Sequence, residues 1–104
     1  MPQILVRGLK ASEVASLCRD CLGDLARINE TPEDYYLFQH WEPETYSAAG
    51  AQPSYPLVEV KQFRRSPEQE AQTARLVLDY IRGLGYEEAE LYYVYLEEQA
   101  YYSL

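Results

Sequence analysis

The sequence predicts an α+β fold: a duplicated β-α-β unit forming a four-stranded mixed sheet with two helices on one face. Three observations predict it. Short alternating or aromatic-rich runs at 2–7, 35–41, 57–63 and 89–96 read as strands. Between them, two stripes of apolar residues at helical spacing read as amphipathic helices. The halves also echo each other: a shift of 54 positions sends Pro2 to Pro56, Ile4 to Val58, Val6 to Val60, Arg7 to Lys61 and Ser12 to Ser66. Agreement of strand, helix onset and helix length favours a duplication over chance matches.

Each element has a local reason. In 2–7 (PQILVR), Ile4 and Val6 share a face, and Gly8 ends the strand. From Ser12 to about Asn29, Val14, Leu17, Cys18, Cys21, Leu22, Leu25, Ala26 and Ile28 form the apolar stripe, and Thr31-Pro32 should stop the helix. Residues 35–41 (YYLFQHW) form the second strand, and 42–55 make a long connection with room for a hairpin. After 57–63 (LVEVKQF), Ser66-Pro67-Glu68-Gln69 marks a helix start, with Ser66 as N-cap and Gln69 completing a capping box. Ala71, Ala74, Val77, Leu78, Ile81 and Leu84 should face the core, and Gly85 supplies the stop before 89–96 (AELYYVYL). The expectation is a single domain over 1–104, with pseudo-repeats 2–41 and 56–96. Both crossovers fall on one side, so the other sheet face is left uncovered and should drive association.

Composition narrows the function. The chain has 104 residues, enough for a modest core without staples. It carries 17 acidic and 9 basic side chains, a net charge of -8, which excludes a nucleic-acid or anionic-membrane footprint over the whole surface. A small pocket that is locally positive stays compatible with that charge. Eleven tyrosines against two phenylalanines suit strands, interfaces and pocket mouths. No run approaches the ~20 apolar residues of a membrane span. The start MPQILVRGLK is too soon interrupted by charge for a secretory signal, so a cytoplasmic protein with reduced thiols is expected.

Few motifs carry chemistry. Cys18 and Cys21 form a Cys-x-x-Cys, but they lie well inside a helix, beyond the N-terminal field that lowers a thiol pKa. His40 is the only histidine, so neither a zinc site nor a serine triad has its ligands, and no cofactor is expected. The acidic runs Glu87-Glu88-Glu90 and Glu97-Glu98 read as a solvated rim. Pro2 is the sharper signal. Removal of Met1 leaves a secondary amine at the head of the first strand, and an α-amino group titrates near pH ~8. Desolvation or a nearby cation lowers that value toward a base useful at neutral pH. If the first and third strands pair antiparallel, Pro2 lies near Phe63, Arg64 and Arg65 and near the N-terminus of the Ser66 helix. That combination joins a base to an anion site.

On these residues the sequence resembles the tautomerase superfamily, which includes 4-oxalocrotonate tautomerase and macrophage migration inhibitory factor. More closely, it resembles a small bacterial family of unknown function assigned to that superfamily. The resemblance rests on the Met-Pro-Gln-Ile start, on Tyr55-Pro56-Leu57-Val58-Glu59-Val60 with Phe63 and Arg65 following, and on Leu84-Gly85-Tyr86. It implies a homotrimer with a site at each subunit junction. It implies Pro2 as the base, a cation gripping the substrate carboxylate, and aromatic residues closing the pocket. Arg65, Arg64 and Phe63 take the binding roles by position. The function expected is keto-enol isomerisation of a small carboxylate without a cofactor. The alternative is a non-catalytic oligomeric protein that binds a small anion or a partner on the same scaffold. A thiol-redox module using Cys18 and Cys21 is a third, weaker reading.

Overall fold

The computed structural model describes residues 2–104. In chain order the elements are β1 (Gln3–Arg7), α1 (Ala11–Asn29), β2 (Leu37–Trp41), β3 (Tyr46–Ser47), β4 (Gly50–Ala51), β5 (Leu57–Gln62), α2 (Pro67–Gly83) and β6 (Glu90–Tyr95). The main sheet runs β2-β1-β5-β6. Its outer pairs are parallel, and its central pair, β1 with β5, is antiparallel.

The central register explains the internal repeat. Ile4 pairs with Val60, and Val6 pairs with Val58. The shift of 54 exchanges these two pairs, and the pair between them is Leu5 with Glu59. A pseudo-two-fold axis therefore passes between Leu5 and Glu59. Gln3 pairs with Leu37, whereas its counterpart Leu57 pairs with Glu90, so the second crossover is one residue shorter.

Alternation decides what the sheet buries. Ile4, Val6, Val58 and Val60 point to the helices and form one core with Val14, Leu17, Cys21 and Leu25 of α1 and Val77 and Ile81 of α2. Each such side chain contributes roughly 1.5–3 kcal/mol by leaving water. The opposite face carries no helix. There Leu37 is 50 % exposed, Trp41 46 % and Val94 38 %. Arg7 lies on this face between the Trp41 and Tyr92 rings, 5.9 and 6.0 Å from their centroids. It donates to the Tyr92 hydroxyl, which donates to Glu59 at 2.8 Å.

Several local expectations need correction. The second strand begins at Leu37, because Glu33–Tyr35 wind into a 3-10 turn. The connection 42–55 does hold a hairpin: Tyr46 pairs with Ala51 and Ser47 with Gly50. Helix α1 starts one residue earlier than Ser12, with Lys10 as N-cap. The Glu13 carboxylate accepts the Lys10 N–H at 2.8 Å and so caps the start from inside the helix. Its end is set by Glu30 in the left-handed region, φ 55°, ahead of Thr31-Pro32. There the Thr31 N–H reaches the Ala26 carbonyl at 3.0 Å, closing the helix by hydrogen bonding before proline is met. In α2, Ala71 is exposed and Thr73 is buried instead. Thr73 sits there because it accepts from the buried Asn29 amide, at 3.4 Å. The Ser66 cap forms as the sequence predicts, with Gln69 N–H donating to Ser66 Oγ at 3.1 Å. No helix among the described residues is long and apolar enough to cross a membrane.

Candidate functional site

The chemistry converges at the end of the sheet where β1 begins and β5 ends. Continuing the Gln3↔Lys61 register by one residue sets Pro2 against Gln62. Both are buried, Pro2 below 2 % and Gln62 at 5 % exposure. The Pro2 carbonyl accepts the Leu37 N–H at 3.2 Å, which stitches the first residue into the head of β2. The expected removal of Met1 lies outside the described residues.

The chain leaves β5 through Phe63, Arg64 and Arg65 and turns into α2. Phe63 packs edge-on against Tyr101 of the tail, with centroids 5.1 Å apart. Arg64 lies 3.9 Å above the Tyr95 ring, close enough for a direct cation–π contact. Neither Arg64 nor Arg65 forms an ion pair with a carboxylate among the described residues. Arg65 Nε is buried and has no hydrogen-bond partner among them. The two are adjacent in sequence, so their charges fall together at this end of the sheet. They stand beside the N-terminus of α2, whose dipole favours negative charge, although its first turn already carries Glu68 and Glu70. Phe63 and Arg64 line a cleft of about 370 Å³ together with Leu96, Glu97, Glu98 and Gln99.

One residue here escaped the sequence reading. Glu70, one turn into α2, accepts the Arg65 backbone N–H at 3.1 Å and the Tyr95 hydroxyl at 2.6 Å. Its carbonyl accepts the Tyr93 hydroxyl at 2.7 Å. Tyr93 and Tyr95 lie parallel, 5.9 Å apart. Burial pushes the Tyr93 hydroxyl far up, and the Glu70 hydrogen bond raises Tyr95, so both remain neutral donors. The only signal for Glu70 in the sequence was its place in the first turn of a capped helix.

The remaining candidates do not join this end. His40 Nε2 lies 2.9 Å from the Leu9 carbonyl, so its N–H donates there and the ring serves the fold. Burial, with Asp20 and Asp24 nearby, pushes the Cys21 thiol up to about 11; burial also raises Cys18. That is the reverse of what a reactive redox pair needs. No group of three or more His, Cys, Asp or Glu among the described residues is placed to hold a metal ion. Roomier clefts, about 490 and 580 Å³, lie at the other end of the sheet, where both share Tyr55, Tyr86, Glu87 and Glu88. Glu90 and Arg82 also line the first of them.

The duplicated β-α-β unit with a symmetric central pair is the tautomerase fold, shared with macrophage migration inhibitory factor-like proteins. Within it, the chain belongs to the family described as a domain of unknown function (DUF1904), whose model matches residues 1–103. It is similar to a solved DUF1904 domain from Sebaldella termitidis, 24 % identical, TM-score 0.91, covering 99 % of this chain and 95 % of that one. A macrophage migration inhibitory factor-like protein from Entamoeba histolytica is 8 % identical, TM-score 0.68, covering 98 % and 94 %. A fused 4-OT, described as an asymmetric trimer, is 12 % identical, TM-score 0.72, covering 98 % and 90 %. At those two identities the likeness concerns the fold alone. No curated protein matches the chain.

Proposed function

We propose that this protein is a cofactor-independent tautomerase acting on a small enol or keto acid, with Pro2 as the base after loss of Met1. The carrying observation is the register that sets buried Pro2 against the end of β5, from which the unpaired Arg64 and Arg65 follow directly. Burial and neighbouring positive charge both disfavour protonation of an amine, so the Pro2 nitrogen is held as a free base near neutrality. It takes the hydroxyl proton of the enol and delivers a proton to the adjacent carbon, as the enol C=C becomes C–C and C–O becomes C=O. The base is regenerated, so the step balances without a co-reactant. Arg64 and Arg65 hold the carboxylate through their guanidinium groups, and Phe63 closes one wall.

Assembly follows from the uncovered sheet face. Leu37, Trp41, Tyr92 and Val94 form a half-exposed apolar surface around Arg7, and a homotrimer covers it, the assembly printed for the fused 4-OT. The two free, unactivated thiols fit a reducing cytoplasm.

The test is ketonisation of phenylpyruvate and of 2-hydroxymuconate by protein whose intact mass lacks Met1, beside Pro2→Ala. Turnover that falls on substitution supports the reading; turnover indifferent to it overturns the role of Pro2. Retention of methionine in the native host favours the non-catalytic anion-binding protein, because the Pro2 nitrogen is then an amide.

A further inference from the structure

We propose that Glu70 is the positioning residue of the anion clamp, fixing Arg64 and Arg65 beside Pro2 without touching the ligand itself. What the clamp holds follows from the tautomerase reading; how it is held does not. Glu70 uses each carboxylate oxygen once. Oε2 takes the Arg65 backbone N–H at 3.1 Å and thereby fixes the turn that carries both cations. Oε1 takes the Tyr95 hydroxyl at 2.6 Å and sets the ring on which Arg64 rests at 3.9 Å. Its main chain anchors Tyr93, the ring stacked on Tyr95.

The choice of partners matters. A carboxylate only five and six residues along the chain from two arginines is well placed to pair with one of them. Here both of its oxygens are occupied by a backbone N–H and a phenol, and among the described residues it makes no ion pair with either guanidinium. Glu70 therefore organises the cations and leaves their charge for a ligand. Glutamine keeps an acceptor for the Arg65 N–H but must donate its amide to the Tyr95 hydroxyl, so the charge-assisted bond to the phenol is lost.

The test uses benzoate, a carboxylate that cannot tautomerise, and follows the Arg64 side-chain resonances by NMR. In the native protein the stacked Tyr95 ring should shift those resonances upfield. Glu70→Ala should abolish the shift, weaken benzoate binding about tenfold and raise KM for phenylpyruvate about as much, with kcat within about twofold. Glu70→Gln should recover part of each. Tyr95→Phe, which keeps the ring and removes one hydrogen bond, should move them in the same direction by less. A folded Glu70→Ala that keeps the Arg64 shift or the native benzoate affinity overturns the proposal, as does a native protein that does not bind benzoate. Failure of the proline reading appears differently: Pro2→Ala keeps full turnover while the effect of Glu70 on benzoate stands.

Discussion

At one end of the sheet the Pro2 carbonyl accepts the Leu37 N–H at 3.2 Å; at the other the Pro56 carbonyl accepts the Glu90 N–H at 3.1 Å. The pseudo-two-fold axis relates these two ends, and the backbone barely distinguishes them. The side chains do. Beyond β5 come Phe63, Arg64 and Arg65; the positions equivalent to them beyond β1 hold Leu9, Lys10 and Ala11. The α2 start is closed by Ser66 and the neutral Gln69, and the α1 start by Glu13 acting back on the Lys10 N–H, while both first turns carry acidic side chains: Glu68 and Glu70 in α2, Glu13 in α1. The nitrogen of Pro56 is an amide inside the chain and has no basicity to lend. A duplicated scaffold thus supplies two equivalent frames, and three substitutions plus the position of one nitrogen set apart the end to which we assign the carboxylate.

The largest effect should come from breaking that asymmetry directly. Pro2→Ala is expected to lower ketonisation by about a hundredfold or more, within the range of a lost general base, whereas Pro56→Ala should leave it within about twofold. The same spectrophotometric assay reads both.

Next comes the backbone at the Pro56 end. Gly8 has φ +84°, and a Cβ there would lie 2.3 Å from the Tyr55 carbonyl oxygen. Gly8→Ala should therefore cost about 3 kcal/mol or more in urea unfolding, since the obstacle is main chain and cannot swing away.

The two helix starts should differ more subtly. Ser66→Ala should cost about 1 kcal/mol. At the other end, hydrogen bonds from Tyr86 and from the Lys10 backbone hold Glu13 below the ordinary carboxylate range. A depressed folded pKa gives stability that is present above the unfolded value and lost as pH falls through the folded one. Glu13→Gln should flatten the acid side of a stability–pH profile, and Ser66→Ala should leave its shape unchanged.

The smallest effect concerns the thiols. The Cys21 pKa is raised to about 11, so its contribution is complete below the unfolded thiol value and disappears as pH climbs toward 11. Native protein should react slowly with a disulfide reagent at neutral pH, and fast reaction would restore the redox reading.

Much of the fold was legible because it is written in local chemistry. The Ser66-Pro67 start, the Gly8 and Gly85 stops and the alternation of Ile4 and Val6 each fix one element, and the 54-residue echo fixes how the halves meet. The beginning of α1 was placed one residue late because the start is closed by Glu13 acting backwards on the Lys10 N–H, with no Ser-Pro signal like that of α2 to mark it. Thr73 was passed over for Ala71 because its burial depends on Asn29, 44 positions away. Glu70 was missed for the same reason: its two phenol partners, Tyr93 and Tyr95, arrive from a strand more than 20 residues later. Pro2, Phe63, Arg64 and Arg65 could be grouped in advance only because an antiparallel central pair followed from the repeat.

The most direct test of the account is an ¹⁵N NMR titration of the Pro2 nitrogen in protein whose mass lacks Met1. The account predicts a titrating secondary amine with an apparent pKa at or below the ~8 of an ordinary α-amino group, and its depression should lessen when Arg64 and Arg65 are replaced by alanine. A nitrogen that does not titrate, or one raised well above that value, would contradict it.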